Sequence, residues 1–211
     1  MARSVHASSS SAIDEAVAAL ERGELVGIPT ETVYGICALP TDASVARLIE
    51  AKQRSAEKGI QLLVDSIDQA RALAVVTKAA EQLAERFWPG GLTIVLERRS
   101  DVDLPELLGG GRPTLGLRLP DHEVPRSLAR RLGPIAASSA NVSGQPDATD
   151  ASLVEQALGD VVALILDDGP VRGGTPSTVV DCSNVDEPAR VLREGAISAA
   201  DIAAALAAAT S

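Results

Sequence analysis

Five short stretches of this chain share one chemical character, small alcohols and amides interleaved with a few cations. They are Pro29-Thr-Glu-Thr-Val-Tyr-Gly35, Lys52-Gln-Arg54, Arg112-Pro-Thr114 with Arg118, Ser138-Ser-Ala-Asn141, and Pro176-Ser-Thr178. Hydroxyls and small residues let backbone N–H groups approach phosphate or carboxylate oxygens, and Lys or Arg supplies the countercharge. The chemistry this suits is the capture of small anions. Activated nucleophiles have little support: His6 and His122 stand alone, and Cys37 and Cys182 are far apart. Ser–His catalysis therefore has few candidates, and no zinc constellation is spaced correctly. The chain also lacks G-x-x-x-x-G-K-[ST], G-x-G-x-x-G, H-E-x-x-H and G-x-S-x-G, the usual signatures of P-loop, dinucleotide, zinc-protease and α/β-hydrolase sites.

Singly, most of these residues have an ordinary structural explanation. Thr30 and Thr32 can satisfy a turn. Lys52 near the end of a helix is stabilised by the helix dipole. Lys52 and Arg54, two apart, diverge on a helix and converge on one ligand only if the helix stops between them. Gly109–Gly111 reads as a flexible loop. Arg118 differs, because alternation in Leu115-Gly-Leu-Arg-Leu119 places it on the polar face of an apolar strand, where an inward arginine requires an anion.

The elements that must position these residues follow from periodicity and punctuation. Ser11 with Asp14 is a capping-box pattern opening a helix that Gly23 ends. Leu25–Ile28 reads as a buried strand delivering the loop Thr30–Gly35, and Val45, Leu48 and Ile49 give a helix to about Lys52. Strands are predicted at Gln61–Val64, Leu92–Glu97, Leu115–Leu119, Ile135–Ala137, Val162–Leu166, Thr178–Asp181 and Ala189–Leu192. Helices are predicted at Thr77–Phe87, Glu123–Leu132, from near Asp150, and at Ser198–Ala209, where Ser198 and Asp201 form another capping box. Helices and strands alternate without a repeat or linker. The prediction is one α/β domain with a twisted mixed sheet, flanking helices and a ligand cleft at the strand-end loops. Residues 1–10 read as a disordered lead-in, and 11–211 as the domain.

The chain has 211 residues, 45% hydrophobic and 23% charged, which fits one packed domain and excludes a low-complexity chain. Aromatics are 1%, so a surface stacking several bases is hard to build. The formal charge is −10, yet residues 141–211 hold three arginines against eleven carboxylates, leaving most basic groups in the first two thirds. A cleft there suits a nucleotide better than a duplex. A polar, serine-rich start and the lack of a long apolar run predict a protein that is neither exported nor membrane-spanning, located in the cytoplasm.

Taken in order, Pro29-Thr-Glu-Thr-Val-Tyr-Gly35, Lys52-x-Arg54, Thr114-x-x-x-Arg118-x-Pro120-x-His122, Ser139-Ala-Asn141-x-Ser143-Gly144, Ser177-Thr-Val-Val-Asp181 and Leu192-Arg-Glu-Gly195 resemble the YrdC/TsaC family of L-threonylcarbamoyladenylate synthases. The resemblance runs from about Ala12 to Ala205 and is to the short, single-domain form. It implies an enzyme joining L-threonine, bicarbonate and ATP into threonylcarbamoyl-adenylate and pyrophosphate, with Mg²⁺ carried on the ATP phosphates and no metal held by protein side chains. A tRNA threonylcarbamoyl transferase machinery would take the product to the adenosine beside the anticodon, and a weak contact with tRNA itself is compatible with this. By the same resemblance Lys52, Arg54 and Arg118 carry the catalysis. Lys52, Arg54, Thr114, Ser139, Asn141 and Arg193 contact the nucleotide, and Thr30, Tyr34, Arg118, Ala137 and Ser177 bind threonine. Asp147 stands where the family more often has serine, and a carboxylate there would repel phosphate. An RNA-binding module without turnover is the main alternative; the acidic charge and scarce aromatics count against it.

Overall fold

Apolar runs too short for helices lie between amphipathic stripes of about ten residues, and each becomes the element its length allows. The computed structural model describes residues 2–208. Its strands are β1 (Arg3–His6), β2 (Leu25–Ile28), β3 (Gly35–Ala38), β4 (Gln61–Leu63), β5 (Ala74–Val75), β6 (Leu92–Arg98), β7 (Thr114–Arg118), β8 (Ile135–Ser139), β9 (Val162–Asp167), β10 (Thr178–Asp181) and β11 (Arg190–Arg193). Its helices are α1 (Ala12–Glu21), α2 (Asp42–Ala51), α3 (Ile67–Leu73), α4 (Lys78–Phe87), α5 (Glu123–Leu132), α6 (Ala151–Leu158) and α7 (Ala199–Ala207). Met1 and residues 209–211 lie outside the described residues, so the expected end of the last helix at Ala209 does too.

The sheet runs β1-β9-β2-β3-β8-β4-β7-β6-β10-β11, with β5 added on β6. It is mixed: β1/β9, β9/β2, β4/β7 and β6/β10 are parallel and the remaining pairs antiparallel. Consecutive residues point to opposite faces, and both faces of the β9-β2-β3-β8-β4 half are covered. Leu25, Ile36, Leu62 and Ile165 join one apolar cluster, while their neighbours Val26, Cys37, Leu63 and Leu164 join a second. That double covering is why these strands read as continuous apolar runs. Helices α1 and α5 cap the second cluster through Ala16, Leu20, Val124 and Leu128. They pack chiefly on β2, β9, β4 and β8, and the same face of β7, β6, β10 and β11 borders a cavity.

The domain and its mixed sheet agree with expectation, and three details do not. The expected disordered lead-in holds a strand among its described residues: Arg3–His6 pair in parallel with Leu164–Asp167, and the Ala7 amide donates to the Asp167 carbonyl at 2.7 Å. Backbone groups on the free edge of β9 supply this pairing, and the side chains of β1 stay mostly exposed, so composition gave no sign of it. The Ser11 hydroxyl does not cap α1; it donates to Glu15 at 2.8 Å. Strands β3 and β5 and helix α3 are additional, each too short to show a period. By contrast Ser198 caps α7 as expected, its Oγ accepting from the Asp201 amide at 3.1 Å.

Candidate active site

This face of β7, β6, β10 and β11 is the floor of a cavity of about 690 Å³. Register explains its composition. Ala137 of β8 stands opposite Gln61 of β4, Gln61 lies beside Gly116 of β7, Gly116 is paired with Val95, Val95 with Asp181, and Asp181 with Arg190. A second row runs Thr93, Val179, Arg193 across β6, β10 and β11. Every one of these residues lines the cavity. Gly116 keeps the floor low, since a Cβ there would stand 3.3 Å from the Thr93 methyl.

Arg118, at the end of β7, is 2% exposed. Its Nε donates to the Gly90 carbonyl at 3.1 Å, and Nη2 donates to Glu31 Oε1 at 2.7 Å and Thr32 Oγ1 at 2.9 Å. The inward arginine has its anion in Glu31. Behind it the hydroxyls form an oriented chain. Thr30 Oγ1 donates to the Val33 carbonyl at 2.6 Å and accepts the Thr32 and Val33 amides at 3.2 Å, leaving Thr32 Oγ1, 2.9 Å away, to donate to Thr30. Thr30 thus builds the turn that carries Glu31 and Thr32 and does not itself line the cavity; Val33 does.

On the far side of the floor Ser177 Oγ lies 2.9 Å from Thr93 Oγ1, whose proton goes to Gln61 Oε1 at 2.7 Å. Arg193 Nη2 donates to the Ser177 carbonyl at 2.7 Å and approaches its Oγ at 3.3 Å. Arg54 is tied to the Lys58 and Gly59 carbonyls at 3.2 and 3.0 Å. Burial, then the charge of Arg193, pulls Arg54 below the usual guanidinium range. Arg193 is likewise lowered by burial and by Arg118, while Asp147 acts in the opposite sense. Arg54, Arg193 and Arg118 therefore feel one another in series across a single cavity, with Lys58, Arg112 and Arg190 on its walls.

Lys52 is the C-cap of α2, where the helix stops between it and Arg54. Lys52 is 1% exposed, and its ammonium donates to the Ser139 carbonyl, to the Asn141 carbonyl at 2.7 Å and to Asn141 Oδ1 at 3.0 Å. Ser139 Oγ also donates to Asn141 Oδ1 at 2.6 Å. A buried ammonium must place all three N–H bonds, and these acceptors take them. Lys52 and Asn141 thus stand behind the wall rather than on it, and hold Ser139 at the cavity. Burial, then the nearby Arg54, lowers Lys52 to about 8, and Asp147 opposes this. Asp147 lies close enough to act as a countercharge to Lys52 and Arg193.

Tyr34 is the expectation that fails. It is wholly buried away from the cavity, its hydroxyl donating to the Gly169 carbonyl at 2.7 Å and accepting the Asp168 amide at 3.0 Å. Burial raises this phenol to about 12. It fastens the turn after β9 to the turn after β2. The structure brings Arg54, Thr114, Arg118, Ala137, Ser139, Ser177 and Arg193 to one cavity, with Lys52, Asn141 and Thr30 one layer behind. Sequence reasoning missed Gln61, Thr93, Gly116, Val179 and Asp181. The signal was alternation along β4, β6, β7 and β10, which names a face only once strand pairing is known.

The cavity lies within the volume range of small-molecule sites, and its arginines give it the charge that suits a small anion. The chain belongs to the Sua5, YciO and YrdC family, whose model, described as telomere recombination, matches residues 18–195. A protein of Mycobacterium tuberculosis is 41% identical over 199 residues, spanning 92% of this chain and 88% of its own length. The threonylcarbamoyl-AMP synthase of Bacillus subtilis is 39% identical over 198 residues, 92% of this chain and 56% of that protein. The crystal structure of Pyrococcus abyssi Sua5 complexed with L-threonine superposes with a TM-score of 0.87 at 36% identity, covering 97% of this chain. This chain spans 60% of that archaeal protein.

Proposed function

We propose that this cavity joins L-threonine, bicarbonate and Mg-ATP into threonylcarbamoyl-AMP with release of pyrophosphate, and that the product feeds threonylcarbamoyl transfer to tRNA. The unprotonated threonine amine adds to carbon dioxide to give a carbamate and a proton, or to bicarbonate to give a carbamate and water. A carbamate oxygen attacks the α-phosphate, and pyrophosphate leaves. Both reactants are anionic, so the barrier lies largely in holding negative groups together in line and away from bulk water. Fixed cations and oriented donors lower such a barrier without a histidine base. The observation that carries the reading is the convergence of Arg54, Arg118 and Arg193 with Ser139 and Ser177 in one cavity of a chain whose net charge is −10.

Arg54 and Arg193 are assigned to the phosphates, Arg118 to the amino-acid carboxylate, and Ser139, held by Lys52, to the nucleotide. Mg²⁺ would enter with ATP and would neutralise part of the phosphate charge. The decisive experiment is mass spectrometry of the product formed from ATP, threonine and labelled bicarbonate. Label in a threonylcarbamoyl-adenylate, with pyrophosphate release requiring all three reactants, is the expected result. Pyrophosphate release indifferent to threonine rejects the assignment.

A further inference from the structure

Gln61 is tied to the cavity's hydroxyls through its oxygen and free at its nitrogen. Oε1 accepts the Thr93 hydroxyl at 2.7 Å, reaching from β4 across β7 to β6. Gly116 leaves room for that reach: a Cβ there would stand 3.3 Å from the Thr93 methyl and 3.8 Å from Gln61 Cβ. With the Thr93 proton committed, Ser177 Oγ donates to Thr93 at 2.9 Å, and Arg193 Nη2 stands 3.3 Å behind Ser177 Oγ. The cation at the head of this chain sets its polarity and fixes the amide with its nitrogen turned away from Thr93. Gln61 Nε2 makes no hydrogen bond among the described residues. The buried side-chain polar atoms without a partner are Glu15 Oε2, Glu31 Oε2 and Arg126 Nε, so Gln61 Nε2 is accessible, and it is open to the cavity that Gln61 lines.

We infer that the Gln61 amide donates to the carbamate formed on the threonine amine, and so favours N-carboxylated threonine over the free amino acid. This deepens the proposed function and rests on it. Register places Gln61 between the two ends of the site. Along β7, Gly116 separates Arg118, assigned to the amino-acid carboxylate, from Thr114; along β8, Ala137 precedes Ser139, assigned to the nucleotide; and Gln61 is level with Gly116 and Ala137. Alternate residues of a strand are about 7 Å apart, so Gln61 stands one such step from Arg118 toward the nucleotide end. The carbamate carbon is bonded to the amine nitrogen, next to the carbon that bears the carboxylate. A threonine with its carboxylate on Arg118 and its carbamate facing the nucleotide therefore carries the carbamate over this row. There Ala137 and Gly116 offer no polar side chain, and Gln61 offers two N–H bonds. An amide nitrogen donates and does not accept, so it pairs with carbamate oxygens and gives nothing to an ammonium. Holding one carbamate oxygen also orients the other toward the α-phosphate.

The test makes two measurements on wild type, Gln61→Met and Gln61→Glu: pyrophosphate release as bicarbonate is varied at saturating threonine and Mg-ATP, and threonine binding by calorimetry in bicarbonate-free buffer. Gln61→Met keeps the length and removes the donor. Its kcat/KM for bicarbonate should fall about three- to tenfold, the scale of one neutral hydrogen bond, while threonine affinity stays at the wild-type value. Gln61→Glu keeps the shape and the acceptor for Thr93 but sets a carboxylate oxygen against the carbamate. Its loss should exceed about tenfold, again with threonine affinity retained. A merely structural role reverses that order, because Glu restores the Thr93 hydrogen bond that Met breaks. Gln61→Glu equal to wild type, or less impaired than Gln61→Met, therefore overturns the inference. So does a fall in threonine affinity without bicarbonate as large as the fall in kcat/KM. Wild type whose pyrophosphate release ignores bicarbonate would instead sink the proposed function beneath it.

Discussion

Lys52 shows how one buried charge can govern a site without lining it. Its ammonium holds the Ser139 and Asn141 carbonyls and the Asn141 amide oxygen, so Lys52→Ala loosens Ser139 and strips the Asn141 carbonyl of its donor, while the Ser139 carbonyl keeps the Asn141 amide and Asn141 Oδ1 keeps the Ser139 hydroxyl. The expected loss is about 2–4 kcal/mol of transition-state stabilisation, read from kcat/KM, together with about 1–3 kcal/mol of folding stability from the stranded Asn141 carbonyl. Arg118→Ala should cost the same in kcat/KM. Unchanged turnover in both variants would remove the site assignment and leave the fold intact. Lys52 also dictates a pH response. Its pKa in the folded protein, about 8, lies below the usual 10.5, so between those values the unfolded chain binds the extra proton. Stability from this group is least below about pH 8 and rises as the pH climbs toward 10.5. Deprotonation in the same window removes one of the three N–H bonds holding the Ser139 loop. Activity and stability should therefore separate: kcat/KM falls on an alkaline limb near pH 8 while Lys52 contributes no loss of urea midpoint. A flat rate profile through that window would show that the ammonium is not what holds the loop.

At the scale of elements, the site is a product of register. Thr114, Gly116 and Arg118 alternate along β7, and their neighbours on β4, β6 and β10 share the same face. Gly116→Val tests this directly. A β-branched residue favours a strand, so folding stability should hold, but the side chain rises into the cavity from a point 3.3 Å from Thr93. Ligand affinity should drop by about 1–3 kcal/mol, the usual scale of overpacking, with melting temperature close to wild type; undiminished affinity would place the ligand elsewhere. The same register marks what could be read beforehand. Helix α2 was legible from the spacing of Val45, Leu48 and Ile49, helix α7 from the Ser198–Asp201 capping box, and Arg118 from the contradiction of a charge in an apolar strand. Tyr34 was misplaced because an aromatic in a ligand-like loop looks the same whether its hydroxyl meets a substrate or the Gly169 carbonyl. Gln61 and Thr93 were invisible because pairing across more than thirty residues of chain is a tertiary fact. Strand β1 was invisible because its stabilisation is backbone hydrogen bonding to β9.

On the scale of the whole molecule, an acidic protein with cations gathered in one cavity excludes long polyanions and admits short ones. Duplex RNA, whose affinity comes mainly from many phosphate contacts, meets a net charge of −10 and should bind weakly at physiological salt. A nucleotide meets only the local field of Arg54, Arg193 and Arg118. The cavity is also where distant parts of the chain converge, since residues of β8, β4, β7, β6, β10 and β11 all line it. A ligand bound there contacts several strands at once, and by linkage it stabilises the folded state wherever it does not bind the unfolded one. Mg-ATP at a hundred times its dissociation constant should add about 2.7 kcal/mol. For a chain of this size that corresponds to a rise of about 5–11 °C in melting temperature. Arg54→Ala and Arg193→Ala should each abolish most of the rise while melting, without nucleotide, near the wild-type temperature. Arg118→Ala should keep the ATP-induced rise and lose the further rise produced by threonine. An equal loss of both shifts in all three variants would mean that the cavity does not divide into a phosphate end and an amino-acid end.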